Sequence, residues 1–206
     1  MRMTFLLYEG VEPVDLAAIG VVSMAKRVIP DLSYETVSPD REPVTLSNGL
    51  QVLPSTIYDE VGDVDVLLVP GGPGWRAATG DAALLEFVRR VAPGALVCSV
   101  CTGAMILAEA GVLDGLRATT KSEVVPPEVS PLAELAQRYP AVSTEKALVV
   151  DNGRVVTGGG VTLCIDATLH LLETRFGAER VAEVARIMEY GAARAANAAR
   201  FAPAAV

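Results

Sequence analysis

Two cysteines stand three residues apart in the stretch ALVCSVCTGAMILAEAGVLDG, residues 95–115, followed by a Thr-Gly pair and a helical pattern. Such spacing can serve a redox dithiol, a soft metal site, plain packing, or a single nucleophile held where a strand turns sharply into a helix. A redox pair needs both sulfurs together at a helix start. A strand over 95–100 instead puts Cys98 in mid-strand, pointing away from Cys101 and into the packing. A metal site would have to gather Cys98, Cys101, Cys164 and His170, every Cys and His in the chain, at spacings that match no usual zinc pattern. Two readings of Cys101 stay open. It fills the core, as a free cysteine often does, or it is a nucleophile on a strand-to-helix elbow. In the second reading Gly103 and Ala104 leave the crossing clear, and the helix N-terminus behind the sulfur favours a thiolate.

A nucleophile needs a proton acceptor. His170, the only histidine, lies in DATLHLLETRF, in mid-helix and away from the strand ends, so a Cys-His pair is not expected. The carboxylates near strand ends are Glu9, Glu12 and Asp15. Asp15 reads either as a helix-start acid complementing the dipole or as a partly buried acid close to the thiol that shuttles a proton. Thr102 is either a helix-start residue or a hydroxyl donor into the site. The PGGPG loop at 70–74 could offer backbone N–H groups to a developing negative charge or cradle a phosphate. It matches no dinucleotide or P-loop pattern, so nucleotide binding is weakly supported.

These residues must be positioned by strands and helices, and the sequence alternates the two. Strands are expected at 3–8, 32–38, 63–72 and 95–100, with a short one in RATTK. Hairpins are expected around Asn48-Gly49 and Asn152-Gly153. Helices are expected at about 14–28, 81–92 with Asp81 as N-cap, 102–110 ending at Gly111, and 131–139. Two more, 162–176 and 178–190, are split by Gly177. This is the pattern of an α/β domain, a mostly parallel sheet with helices on both faces. Its site falls at the carboxyl ends of the strands. The strand ends Tyr8-Glu9-Gly10, Pro70–Gly74 and Val100–Gly103 could then converge on one crevice. One domain is expected over residues 1–190, followed by an Ala-rich tail, 191–206, expected to fray.

The chain of 206 residues is a natural size for one such domain. A net charge of −8 argues against unaided binding of nucleic acid or of an anionic membrane. No apolar run approaches the roughly 18 residues of a membrane span. The opening MRMTFLLYEG reads as a buried strand rather than a signal-peptide core. Three cysteines make no disulfide scaffold, so the expected setting is a reducing cytoplasm.

The segments DVDVLLVPGGPG, SVCTGAMILAEAGVLDGLRATT and VVTGGGVTLCIDATLHLLE resemble the ThiJ/PfpI superfamily, from the first strand to about residue 190. These are flavodoxin-like three-layer sandwiches related to class I glutamine amidotransferase domains. Within the superfamily, the Cys-Thr-Gly elbow, the acid of VEPVDLAAIG and the TGGGVT run are most similar to the isocyanide (isonitrile) hydratase branch. The amidase-like domains of AraC-type regulators share them.

The resemblance implies that Cys101 is the nucleophile, Asp15 the essential acid beside it, and Thr102 the hydroxyl that follows. It places Gly71 and Gly72 on the oxyanion-side loop and Val161 against the substrate. Protease-like branches carry His after the nucleophile, where this chain has Thr102, which argues against peptidase activity. Two departures stand out. Lys121 and Ser122 replace a His-Trp pair usual in the hydratases, and the tail after MEYG lacks their proline-rich segment. No helix-turn-helix pattern follows, which argues against a complete AraC-type regulator. The implied reaction is hydration of an isocyanide to an N-substituted formamide through a covalent thioimidate. It needs a small-molecule substrate and no metal or organic cofactor, and the family implies a homodimer. The alternatives are glyoxalase or deglycase chemistry on α-oxoaldehydes, and a non-enzymatic redox-sensing or ligand-binding protein.

Overall fold

A computed structural model describes residues 1–201; the last five residues of the expected tail lie outside the described residues. In chain order, β1 (Arg2–Leu6) leads through a 3₁₀ turn (Pro13–Leu16) into α1 (Ala17–Ala25) and β2 (Ser33–Ser38). Next come β3 (Val44–Thr45), β4 (Gln51–Val52), β5 (Thr56–Ile57), β6 (Val66–Val69), α2 (Trp75–Ala78) and α3 (Ala82–Val91). Then follow β7 (Leu96–Ser99), α4 (Gly103–Glu109), β8 (Arg117–Ala118), α5 (Pro131–Arg138) and β9 (Ser143–Thr144). The described chain closes with β10 (Val149–Asp151), β11 (Val155–Gly158), α6 (Cys164–Phe176), α7 (Ala178–Ile187) and α8 (Gly191–Arg200).

Seven strands form the main sheet in the order β10-β11-β7-β6-β1-β2-β5. Every pairing in it is parallel except β10 with β11. The two-residue period of a strand divides the core in two. Met3 and Phe5 of β1, Val66 and Leu68 of β6, and Leu96 and Cys98 of β7 pack on the face covered by α1, α6 and α7. Leu6, Leu67, Val69 and Val97 point to the other face, against α3 and α4. Such double coverage is why these strands read as unbroken apolar runs. Connections from β1 leave one way to β2, while β6 and β7 lie on its other side. The resulting crevice at the carboxyl ends of β1 and β6 is the topological switch point of an open α/β sheet.

Local chemistry explains the boundaries. Asp81 caps α3, its Oδ1 accepting from the amides of Ala83 and Leu84 at 2.9 and 3.1 Å. The expected hairpins form: β3 pairs with β4 around Asn48 (φ 62°) and Gly49 (φ 91°), and β10 pairs with β11 around Gly153. The helix expected from residue 14 begins only at Ala17, because Pro13–Leu16 winds as a tighter turn capped by Glu12. The strand in RATTK is short and pairs with β9 in a separate two-stranded sheet. The tail differs most from expectation. Residues 191–200 are helical, and Asp166 of α6 holds them by accepting from Tyr190 Oη (2.8 Å) and Asn197 Nδ2 (2.9 Å). Alanine favours helix, and this partly buried polar contact supplies the tertiary anchor. Among the described residues, no helix is long and apolar enough to cross a membrane.

Candidate active site

Cys101 sits between β7 and α4 with φ 51°, a left-handed conformation that a side-chain-bearing residue adopts only when its surroundings compel it. Both ends of its peptide are held. Its N–H donates to Gly159 O at 3.0 Å, and its carbonyl accepts from Thr120 Oγ1. The turn is possible because α4 starts on a glycine: a Cβ on Gly103 would lie 2.1 Å from Val69 O. The sulfur is nearly buried, with Cys101 2% exposed. This is the strand-to-helix elbow expected from the sequence.

Asp15 comes from the turn after β1 and is fully buried. Its Oδ2 accepts from Gly71 N at 2.7 Å, and its Oδ1 has no partner among the described residues. Burial is the largest influence on the carboxyl and moves it from 3.8 up to about 7. The Gly71 hydrogen bond and the adjacent Cys101 thiol pull the other way, and the charge of Glu12 adds to the rise. Burial likewise pushes Cys101 upward, followed by the charge of Asp15. The amides of Val161 and Thr102, which face the sulfur, and the charge of Lys121 oppose the rise and do not cancel it. Burial thus opposes the thiolate that the helix start was expected to favour. In a pocket this dry, desolvation works against the dipole of a short helix and raises the sulfur's hold on its proton.

The structure also redistributes the donors. Gly71 donates to Asp15, and Gly72 donates to Thr102 Oγ1 at 2.9 Å, so neither amide is free to meet a substrate's negative charge. The Thr102 hydroxyl is occupied as well, since it donates back to Gly72 O at 3.3 Å. Thr102 thus clasps the β6 loop to the elbow instead of reaching into the site. The donors that do face the sulfur are the backbone N–H groups of Thr102 and Val161. Val161, itself left-handed at φ 53°, brings its amide there through that backbone turn. The resemblance implies only an aliphatic side chain against the substrate at Val161; the amide's role is not visible there, because positive φ at a β-branched residue leaves no trace in sequence.

Above the sulfur opens a cavity of about 440 Å³, lined among others by Glu12, Gly72, Trp75, Lys121, Val124 and Val161. Its wall from α2 and α5 was not legible in the sequence. Arg76 Nη1 and Nη2 pair with Glu134 at 2.6 and 2.7 Å, and the guanidinium lies 4.3 Å from the ring centre of Trp75, fixing that aromatic face. The lone tryptophan was the one available signal. Other candidates fall elsewhere. Cys98 is wholly buried on the opposite sheet face. Cys164 starts α6 and donates to Val14 O at 3.5 Å. His170 is paired through Nε2 with Asp151 at 2.8 Å. Among the described residues, no three His, Cys, Asp or Glu side chains are grouped to hold a metal.

A thiol on a strained elbow, an acid titrating near neutrality and two inward amides form one unit at the switch point. Known proteins share its frame. The sequence model of the DJ-1/PfpI family matches residues 1–174. Isonitrile hydratase of Pseudomonas putida is 34% identical over 194 residues, covering 94% of this chain and 80% of that protein. The HTH-type transcriptional regulator GbdR of Pseudomonas aeruginosa is 30% identical over 190 residues, and the match spans 90% of this chain but only 50% of the regulator. Among solved structures, a ThiJ/PfpI family protein from Pseudomonas syringae superimposes with a TM-score of 0.79 at 26% identity, over 97% of this chain and 86% of that one. The order of the sheet, the elbow that carries Cys101 and the extent of these matches lead to one conclusion: the chain belongs to the DJ-1/PfpI family.

Proposed function

We propose that the chain hydrates an isocyanide to an N-substituted formamide, with Cys101 as nucleophile and Asp15 as the group that moves the proton. The observation that carries this reading is the meeting of a thiol that lines the cavity, Cys101, with a fully buried carboxyl behind it, Asp15, raised to about 7. The likeness to the P. putida isonitrile hydratase over most of both chains supports the choice of substrate class.

Ionised Asp15 takes the proton from Cys101 as the sulfur bonds to the terminal isocyanide carbon. It then returns that proton to the same carbon, leaving a thioimidate, R–N=CH–S–Cys101. Water adds across the C=N bond, its oxygen to carbon and a proton to nitrogen, with Asp15 as the general base that relays this proton. Collapse of the tetrahedral adduct breaks the C–S bond, returns a proton to sulfur and releases R–NH–CHO. A carboxyl poised near the working pH suits both directions of transfer. The amides of Thr102 and Val161 steady negative charge on sulfur while its proton is away. Thr102 acts through Gly72 as a positioning residue. Gly72 and Val161 bound the space for the substrate.

The test is cofactor-free turnover of para-nitrophenyl isocyanide by wild type, Cys101→Ala and Asp15→Asn in parallel. Formamide production in wild type and its loss in both variants is the expected result. A folded Cys101→Ala variant that still turns over would remove the mechanism, and an inactive folded wild type would remove the substrate assignment.

A further inference from the structure

Two backbone segments grip the elbow that carries Cys101, and they meet at Lys121. Thr120 Oγ1 donates to the Cys101 carbonyl, and the Cys101 N–H donates to Gly159 O at 3.0 Å. One residue further along each segment, Lys121 lies against Gly160. A Cβ on that glycine would fall 2.7 Å from Lys121 Cγ, 2.8 Å from its Cβ and 3.0 Å from its Cα. Gly160 precedes Val161, whose left-handed backbone (φ 53°) brings its amide to the sulfur. A β-branched residue holds that conformation only while its neighbours over-determine it. The stem of Lys121 supplies part of that hold, and its own backbone is anchored where its carbonyl accepts from Leu132 N at 3.1 Å.

The head of the same side chain carries a charge that no carboxylate takes up. Lys121 Nζ donates to the backbone carbonyl of Glu123, while the Glu123 carboxylate is paired with Lys146 and Arg200. The other cation on the cavity wall, Arg76, is paired with Glu134. Lys121 thus brings an unpaired positive charge to the cavity that Cys101 also lines. Other titratable groups surround the thiol. Asp15 comes from the turn after β1, Tyr8 from the end of β1 and Cys164 from the start of α6. Glu12 and Glu128 stand on the cavity wall. Of all these, Lys121 alone is cationic, and its charge favours an ionised sulfur.

We infer that Lys121 is a positioning residue for the proposed reaction. Its stem holds the turn at 159–161 so that the Val161 amide stays on the sulfur, and its ammonium offsets the negative charge left there while Asp15 holds the thiol proton. The part in turnover rests on the hydratase reading, whereas the effect on the thiol does not depend on the substrate.

The test compares Lys121→Met, which keeps a stem and loses the charge, Lys121→Arg, which keeps both, and Lys121→Ala, which loses both. Alkylation of Cys101 by iodoacetamide from pH 7 to 9 reads the thiol without any substrate. Lys121→Met is expected to slow it about tenfold at every pH, a rise of about one unit in the thiol's pKa, and Lys121→Arg to stay within about threefold of wild type. By NMR, the Val161 amide should move in Lys121→Ala well beyond its shift in Lys121→Met. With para-nitrophenyl isocyanide, Lys121→Met should lower kcat about tenfold while KM changes less than about threefold. The inference is overturned by alkylation or kcat at wild-type values in Lys121→Met, by a Lys121→Arg variant as slow as Lys121→Met, or by a Val161 amide that Lys121→Ala leaves in place. If wild type turns over no isocyanide while alkylation and NMR respond as expected, the hydratase reading falls and the role of Lys121 toward the thiol stands.

Discussion

Burying the Asp15 carboxyl without a full set of partners should make the protein less stable as pH rises, and replacing it should remove that dependence. In the unfolded chain the group titrates near 3.8, and in the folded protein near 7. Between those values the folded state holds a proton that the unfolded state has lost, so stability falls with rising pH. Below about pH 4 both states are protonated and Asp15 imposes no penalty. Above pH 7 both are ionised and the penalty is complete, amounting to roughly 4 kcal/mol at about 1.4 kcal/mol per pKa unit. Asp15→Asn cannot titrate, and its amide oxygen can still accept from Gly71. Urea unfolding of both proteins from pH 4 to 8 isolates the effect, because every other titrating group is shared. The variant's stability relative to wild type should rise by up to about 4 kcal/mol across that range, most of it between pH 4 and 7. Parallel stability curves, or a gap that closes with pH, would refute the burial argument and with it the assignment of a protonatable acid beside the thiol.

Three further outcomes follow from the same geometry. Because burial and Asp15 hold the Cys101 proton, alkylation by iodoacetamide at pH 7 should be slower than for a free thiol and should accelerate beyond pH 9; intact-mass kinetics showing a fast phase at neutral pH would contradict this. Thr102→Val removes both hydrogen bonds to Gly72 and should cost about 1–3 kcal/mol by chemical unfolding. It should also reduce kcat while the alkylation rate of Cys101 stays within about twofold, since the sulfur's own donors are backbone groups. Gly103→Ala places a methyl against Val69 O and should cost about 3 kcal/mol or more, read as a lowered Tm, whereas Gly191→Ala, with open space around it, should not destabilise.

The parts of this site that were legible in sequence are those set by local rules. Apolar runs ending in Pro-Gly-Gly and Cys-Thr-Gly mark strand ends, and small residues after Cys101 mark a close crossing. Those rules brought Asp15, Gly71 and Cys101 to one place. The parts that were not legible depend on which groups meet across the chain. Nothing near Thr102 announces that its hydroxyl is taken by Gly72, thirty residues away. Nothing near Gly71 announces that its amide belongs to Asp15. The thiol's environment has a related limit: a helix start can be read from spacing, whereas the depth of burial opposing it cannot. Residues 191–200 read as a fraying tail on composition, since alanine says helix but not where a helix docks; Asp166 supplies that answer from another element.

The backbone approaches around Gly72, Gly74 and Gly103, where added side-chain carbons would fall within 2.3 Å of neighbouring backbone atoms, have a mechanical meaning. The β1 turn, the β6 loop and the elbow are keyed together main chain to main chain, so the reacting atoms rest on a stiff anvil. In the segment from Lys121 to Pro131, which lines the cavity outside the main sheet, only Lys121 is packed this closely against a glycine, Gly160. In the proposed reaction, accommodation of substrates of different bulk therefore falls to that wall. Changes there, Lys121 aside, should retune which molecules are accepted without disturbing how the bond is made.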